Sequence, residues 1–180
     1  VSGGYVGVDI FFVISGFLMT AIIVKGLEQG DFSLFRFYIA RARRILPALI
    51  VVIITLLALG WFWLTNPDYK ELGNESYYAL VFLSNIYFWR KTGYFEAEAH
   101  EKWLLHTWSL SVEWQFYLLF PIFLTLLWKL KPNLKTLTLG LATVFICSFS
   151  FQWLADSVES FYSLSTRGWE LSAGGLVYLA

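Results

Sequence analysis

Apolar residues follow one another along this chain in long blocks that short polar segments separate. The apolar blocks cover residues 5–24, 45–64, 106–128 and 134–154, and another begins at residue 166 and continues to the last residue. A helix of about 20 mostly apolar residues is long enough to cross a bilayer. The pattern therefore predicts four membrane-spanning helices and the start of a fifth. We expect the chain to be part of a longer multi-pass protein, incomplete at both ends.

One apolar block is too short to span a membrane in the ordinary way. Residues 76–89, "SYYALVFLSNIYFW", carry Ser84 and Asn85 near their middle. Apolar segments of about 10–14 residues are typically re-entrant or interfacial. The loop between the first two predicted spans is rich in Lys and Arg, which indicates a cytoplasmic loop. If residues 76–89 are re-entrant, the later lysines at 129–135 also fall on the cytoplasmic side. We therefore predict an all-α membrane protein with about five spanning helices and one short re-entrant or interfacial segment.

Composition points to the same class. The chain is 58% hydrophobic and only 14% charged, whereas soluble domains carry about 25% charged residues. The net charge of zero gives no reason to expect a nucleic-acid partner. The single cysteine, Cys147, excludes an intrachain disulfide, and we expect it to pack among apolar neighbours. The histidines and the cysteine lack metal-ligand spacing, so we expect neither a metal nor a tightly bound cofactor.

Polar residues open the third predicted span. In "HTWSLSVE", His106, Ser109 and Glu113 stand at positions i, i+3 and i+7, so on a helix they share one face. A hydrolase triad is excluded, because Glu113 would lie about 10 Å along the axis from His106 and the histidine would not bridge serine and carboxylate. The face could supply a base or proton relay for a polar ligand. It could equally be a capped helix with a buried glutamate that is hydrogen-bonded or paired with a cation such as Arg167.

Arginines precede the second predicted span. Arg41 and Arg44 are three residues apart, with Arg43 between them, so on a helix Arg41 and Arg44 share a face. Guanidinium groups bind phosphate oxygens two at a time, which favours a phosphate-bearing ligand. The other interpretation is a topology anchor that also attracts anionic lipid headgroups.

Two further charged positions and one glycine pair complete the candidates. Asp9 lies inside the first predicted span, where carboxylates are rare and usually paired or functional. Arg167 and Glu170 form an i,i+3 pair of opposite charge, for which a structural role is favoured over catalysis. Gly3 and Gly7 have the four-residue spacing of small residues that is typical of close helix packing.

Four stretches together resemble the integral-membrane acyltransferase family 3, and they occur in the order found in that family. The resemblance is closest to the branch that acylates envelope polysaccharides. It covers nearly all of residues 1–180, which we expect to be part of a single transmembrane acyltransferase domain that lacks the family's first span and its later spans. The stretches are "GGYVGVDIFFVISGFLMT" (3–20), "FYIARARRILPAL" (37–49), "SNIYFWRKTGYF" with "LLHTWSLSVEWQFYLLFP" (84–121) and "TRGWEL" (166–171).

The resemblance implies a membrane-bound O-acyltransferase of class EC 2.3.1.-. It implies transfer of an acyl group, commonly acetyl, from acyl-CoA to a sugar hydroxyl of a polysaccharide such as lipopolysaccharide O-antigen or peptidoglycan, or of a lipid-linked sugar. The implied location is the bacterial cytoplasmic (inner) membrane. Members of this branch often carry a C-terminal extracytoplasmic SGNH-type esterase domain. A transporter or flippase of an acyl or glycolipid unit is the competing function, and a scaffold subunit is a third.

The resemblance also assigns roles to residues. It implies that Arg41 and Arg44, with Arg43, bind the acyl-CoA donor, and we expect His106, Ser109 and Glu113 to line the acceptor side. The family's best-known catalytic histidine lies on a preceding span that is absent here. The family usually shows two glutamates where this chain has Glu113 followed by a tryptophan. Further candidates are Asp9, Trp108, Arg167 and Glu170.

Overall fold

The computed structural model describes residues 4–92 and 102–180, and in these residues it contains helices and their connections but no strand. The prediction of an all-α protein is confirmed. The helices are α1 (Gly4–Gln29), α2 (Leu34–Trp63), α3 (Asn66–Leu80), α4 (Ser84–Thr92), α5 (Thr107–Leu130), α6 (Leu134–Leu154), α7 (Ser157–Tyr162) and α8 (Leu164–Leu179).

Four of the described helices, α1, α2, α5 and α6, are long and apolar enough to cross a membrane. Each of them contains most of one of the four complete spans that the sequence predicts. The fifth apolar block forms α8, which has 16 residues. Much of the surface of the four long helices is exposed and apolar, as expected for helices in contact with lipid.

Helix α2 differs from the prediction at its beginning. We predicted a span over residues 45–64, but α2 has 30 residues, begins at Leu34 and contains Pro47 in its interior. The arginine stretch is therefore part of the helix and not part of a loop. Hydropathy marks where the membrane begins, whereas arginine is a good helix former and lets the helix continue into water.

The short apolar segment is a broken helix. Helix α3 ends at Leu80, α4 begins at Ser84, and Phe82 between them has a φ of 55°, in the left-handed region. A bulky residue in that region marks a definite interruption of the helix. The sequence predicts one short segment over residues 76–89, and the structure divides this segment between α3 and α4. Its re-entrant position in the membrane stays a prediction, and broken helices at membrane depth occur only where protein or a cavity surrounds them.

The chain forms two compact units. The first contains the chain up to Leu34 together with Glu113–Ala180, and the second contains Phe35–Val112. In the second unit, Tyr78 of α3 stacks on Tyr87 of α4 with ring centroids 4.5 Å apart. This stacking holds together the two halves of the broken helix.

Helices α1 and α8 of the first unit meet backbone to backbone. A Cβ atom at Gly16 would overlap the carbonyl oxygen of Leu171 and lie 2.7 Å from its carbonyl carbon. A Cβ atom at Gly174 would overlap the carbonyl oxygen of Val13 in the same way. Only glycine permits such a close approach, and contacts of this kind are a main source of helix association in membranes.

The close helix packing predicted at Gly7 is not found among the residues that the structure describes. Nothing lies within 4 Å of a Cβ atom built on Gly7, and Gly3 lies outside the described residues. A four-residue spacing identifies a face of small residues, but only a helix opposite that face turns it into a contact. The expectation that Cys147 packs internally is also wrong, because Cys147 is exposed on α6.

Candidate functional site

Three hydroxyl and carboxyl side chains meet inside the first unit. Ser15 on α1 donates a hydrogen bond to Oε1 of Glu113 on α5, over 2.6 Å. Tyr117, one turn further along α5, donates to the same oxygen. The hydroxyl oxygens of Ser15 and Tyr117 are also 2.6 Å apart. We call these three residues the Ser15–Glu113–Tyr117 triangle.

The triangle is removed from solvent. Ser15, Glu113 and Tyr117 are only 5%, 4% and 6% exposed. A carboxyl group in such a place is costly unless other groups bond to it, and a carboxyl group within a membrane helix is a candidate functional group. Glu113 thus accepts hydrogen bonds from two hydroxyl groups, whereas Arg167 forms ion pairs with Asp9 and Glu170, and the choice between a functional and a structural role for Glu113 stays a prediction. The i,i+4 spacing to Tyr117 was visible in the sequence, whereas no local signal distinguished Ser15.

The other two residues of the predicted polar face stand differently. Helix α5 begins at Thr107, so His106 lies in the turn before the helix, and its side chain is exposed. The prediction of one helical face that includes His106 is wrong in this respect. The Ser109 hydroxyl donates to the carbonyl oxygen of His106, three residues earlier, over 3.1 Å. Trp108 is buried.

A buried glutamate holds the turn that carries His106. The backbone N–H of Leu104 donates to Oε2 of Glu75 over 2.9 Å, and Glu75 is 1% exposed. Burial raises the pKa of Glu75 above its ordinary value. Sequence reasoning missed Glu75, which lies in a polar stretch where a glutamate gives no signal.

Glu71 lies one turn before Glu75 on α3, and its pKa is shifted in the opposite direction. It accepts a hydrogen bond from the Tyr87 hydroxyl over 2.6 Å and forms an ion pair with Lys91. Partial burial raises the pKa of Glu71, but hydrogen bonds from Lys91 and Tyr87 outweigh it, so the pKa lies below its ordinary value. These contacts join α3 to α4.

Arg167 binds two carboxylates. Its Nη1 atom lies 2.6 Å from Oδ1 of Asp9 and 2.8 Å from Oε1 of Glu170, and its Nε donates to the carbonyl of Phe161. The predicted Arg167–Glu170 pair is therefore present, and Asp9 joins it from α1. Glu170 is 3% exposed. We call Asp9, Arg167 and Glu170 the arginine-centred cluster; whether it is structural or catalytic stays a prediction.

The arginines of α2 differ in exposure although they share a helix. Arg41 is half-buried over the ring of Phe37, with 5.6 Å from its Cζ to the ring centroid, and its Nε has no hydrogen-bond partner among the described residues. Arg43 and Arg44 are exposed. In the part of the chain that the structure describes, no group of three His, Cys, Asp or Glu side chains could hold a metal ion.

These features define a multi-pass helical membrane protein with a buried carboxyl site, and comparison with known proteins gives its family. The model of the acyltransferase domain family matches residues 2–180. The chain belongs to this family, as its resemblance to acyltransferase family 3 predicted.

Relatives of this chain carry related names. It is 37% identical to a protein of Haemophilus influenzae, over 94% of this chain and 72% of that protein. It is 34% identical to the putative membrane-bound transacylase BcsY of Komagataeibacter xylinus, over 98% of this chain and 45% of the relative. It is 33% identical to the peptidoglycan O-acetyltransferase OatA of Listeria monocytogenes, over 96% of this chain and 29% of the relative. The chain thus spans less than half of the latter two proteins. No solved structure matches it.

Proposed function

We propose that the complete protein is a membrane-bound O-acyltransferase that moves an acyl group, in the simplest case acetyl, from acyl-CoA to a sugar hydroxyl of an envelope polysaccharide. The site is in the bacterial cytoplasmic membrane. The observation that carries the proposal is the buried carboxyl of Glu113 in the Ser15–Glu113–Tyr117 triangle, within a chain of the acyltransferase family. The name of the Listeria monocytogenes relative supports the class of acceptor.

The donor-binding role rests on α2. Coenzyme A carries several phosphate groups, and the planar guanidinium group matches phosphate oxygens two at a time. The exposed Arg43 and Arg44 are accessible to such a ligand, and Arg41 has an Nε atom without a partner among the described residues. Because these residues lie on one helix, a ligand would meet them as a group of fixed geometry.

The transfer itself requires one proton to move. The sugar oxygen attacks the thioester carbonyl, the carbon–oxygen bond forms as the carbon–sulfur bond breaks, and the hydroxyl proton goes to a base. The leaving thiolate then takes up a proton. The resemblance assigns the base to a histidine on a preceding span, and we place Glu113 on the acceptor side. A carboxyl group there can bind the attacking hydroxyl and orient it.

The test is transfer of labelled acetyl from acetyl-CoA to polysaccharide by membranes that contain the complete gene product. Glu113→Gln should abolish transfer at near-normal abundance, because the amide keeps the shape of the side chain but loses the charge and the basicity. Arg41→Ala and Arg44→Ala should raise the KM for acetyl-CoA, and lysine should restore it only partly, since an ammonium group makes no two-pronged contact. Full activity of all these variants at normal abundance would contradict the proposal.

A transporter of an acyl or glycolipid unit is the second candidate, and the broken helix α3–α4 favours it, because transporters bind substrate at interrupted helices. The same experiment separates the two functions. A transporter would move labelled material across the membrane without forming an acetyl ester on the sugar. Alkali-labile label on the isolated polysaccharide identifies the enzyme.

A further inference from the structure

We infer that Ser15 and Tyr117 are positioning residues: their hydroxyl groups fix one oxygen of Glu113 from two helices and leave the other oxygen for the substrate. This inference rests on the proposed function. Both hydroxyl groups donate their hydrogen bonds to Oε1 of Glu113, and Oε2 receives neither of these two hydrogen bonds. Oε2 is therefore the oxygen that a substrate hydroxyl would meet.

Two hydrogen bonds from different directions fix the carboxyl group of Glu113, whereas one hydrogen bond would not. A glutamate side chain has three rotatable bonds, so a single hydrogen bond leaves its carboxyl group free to swing. Here one donor comes from α1 and the other from α5, and the two donors also contact each other at 2.6 Å. Removing either hydroxyl group opens the triangle. A displacement of about 1 Å at a reacting group can cost about a hundredfold in rate.

The backbone next to Ser15 is itself fixed. Ser15 directly precedes Gly16, whose Cα lies against the carbonyl group of Leu171 on α8. Helix α1 therefore cannot slide or rotate past α8 without a clash at that point. The serine donor is held at a set height along α1, which is what a positioning residue requires.

A purely structural role makes a different prediction. If the triangle only stabilises the helix contact, loss of a hydroxyl group lowers the amount of folded protein and leaves the activity of each folded molecule unchanged. If the triangle positions Glu113, kcat falls while the KM values for donor and acceptor stay constant. The split between kcat and KM thus separates the two roles.

The experiment uses the complete gene product with Ser15→Ala, Tyr117→Phe and the double variant. Two control variants remove matched groups from the same unit. Ser172→Ala removes a buried hydroxyl group on α8 whose oxygen has no hydrogen-bond partner among the described residues. Tyr178→Phe removes the hydroxyl group of a ring that packs edge-on against Phe17. Acetyl transfer is measured per folded molecule over a range of both substrate concentrations.

We expect kcat to fall about 10- to 100-fold in each single variant, with both KM values within about twofold of the wild type. The double variant should lose less than the product of the single losses, because the two hydroxyl groups act on one oxygen. Both controls should stay within about twofold of the wild type. Tyr117→Phe keeps the ring, so it decides the matter if Ser15→Ala does not fold.

Unchanged kcat in Tyr117→Phe, in an active wild-type background, would overturn the inference and leave the proposed function intact. The same holds if the loss appears only in KM or only in the amount of folded protein. A wild-type protein that transfers no acyl group would overturn the proposed function, and this inference with it.

Discussion

The contact between α1 and α8 makes Gly16→Ala a sharp test of the fold. The added methyl group would overlap the carbonyl oxygen of Leu171 and lie 2.7 Å from its carbonyl carbon, where ordinary contact begins at 3.4 Å. The obstructing atoms are backbone, which cannot rotate away as a side chain can, so the helices must separate. Overpacking of this kind costs about 1–3 kcal/mol. When the better helix propensity of alanine, about 1 kcal/mol, is subtracted from this cost, a net loss of up to about 2 kcal/mol remains.

Gly7→Ala is the matched control, because it makes the same substitution on the same helix at a position with nothing within 4 Å. It should be neutral or slightly stabilising. The free energy of unfolding is measured for both variants in detergent or bicelles, by steric trapping or by reversible denaturation. If Gly16→Ala is as stable as Gly7→Ala, α1 and α8 do not approach as closely as described. The two variants share the change in helix propensity, so their difference isolates the contact.

The remaining predictions concern buried charges. Arg167→Met should leave the buried carboxylate of Glu170 without its cation, at a cost of about 3–5 kcal/mol in stability, and so lower the abundance of folded protein. Adding Glu170→Gln should restore most of that abundance. If it restores none, Arg167 and Glu170 do not form a stabilising ion pair. Because folding raises the pKa of Glu75, the contribution of Glu75 to the free energy of unfolding is fully present below its ordinary pKa of about 4.3 and is lost as the pH rises through the raised pKa. Glu75→Gln should therefore become more stable than the wild type as the pH approaches neutral. The pKa of Glu71 is lowered, so the pH dependence of its contribution to stability is opposite: Glu71→Gln should be less stable than the wild type at neutral pH and equally stable in acid. Thermal unfolding of both variants from about pH 4 to 8 measures these differences. Stability curves that run parallel to that of the wild type would contradict both predictions.

The membrane helices could be predicted from the sequence because the hydrophobic thickness of a bilayer is a single physical length. Residues 134–154 were predicted as a span, and α6 covers the same residues. The beginning of α2 could not be predicted in this way, because hydropathy does not report on a helix that continues into water. The interruption at Phe82 was also not visible, since a phenylalanine with positive φ has no signature in an apolar run.

The candidate site divides along a similar line. Glu113 stood out in the sequence because a charge inside an apolar run is costly. Its partner Ser15 did not stand out, because serine is tolerated in membrane helices and because Ser15 is 98 residues from Glu113 along the chain. The arginine-centred cluster was half predicted: Arg167 and Glu170 lie one turn apart, but Asp9 is brought to them only by the packing of α1. Local spacing thus identified the acids and bases, and tertiary contact selected the partners.

The length of α2 has a mechanical consequence. A helix of 30 residues is about 45 Å long, whereas the hydrocarbon core is about 30 Å thick, so about 15 Å of α2 stands clear of the lipid tails. Because the predicted apolar span begins at Ile45, we expect the arginines to lie on the projecting part, which is continuous with the transmembrane part within one helix. A single residue inserted between Arg44 and Pro47 would turn the whole arginine row by about 100° about the axis. Four inserted residues would nearly restore its direction but raise it by about 6 Å. The number of residues between the arginines and the membrane therefore sets both the distance of the arginines from the membrane and the direction in which they face.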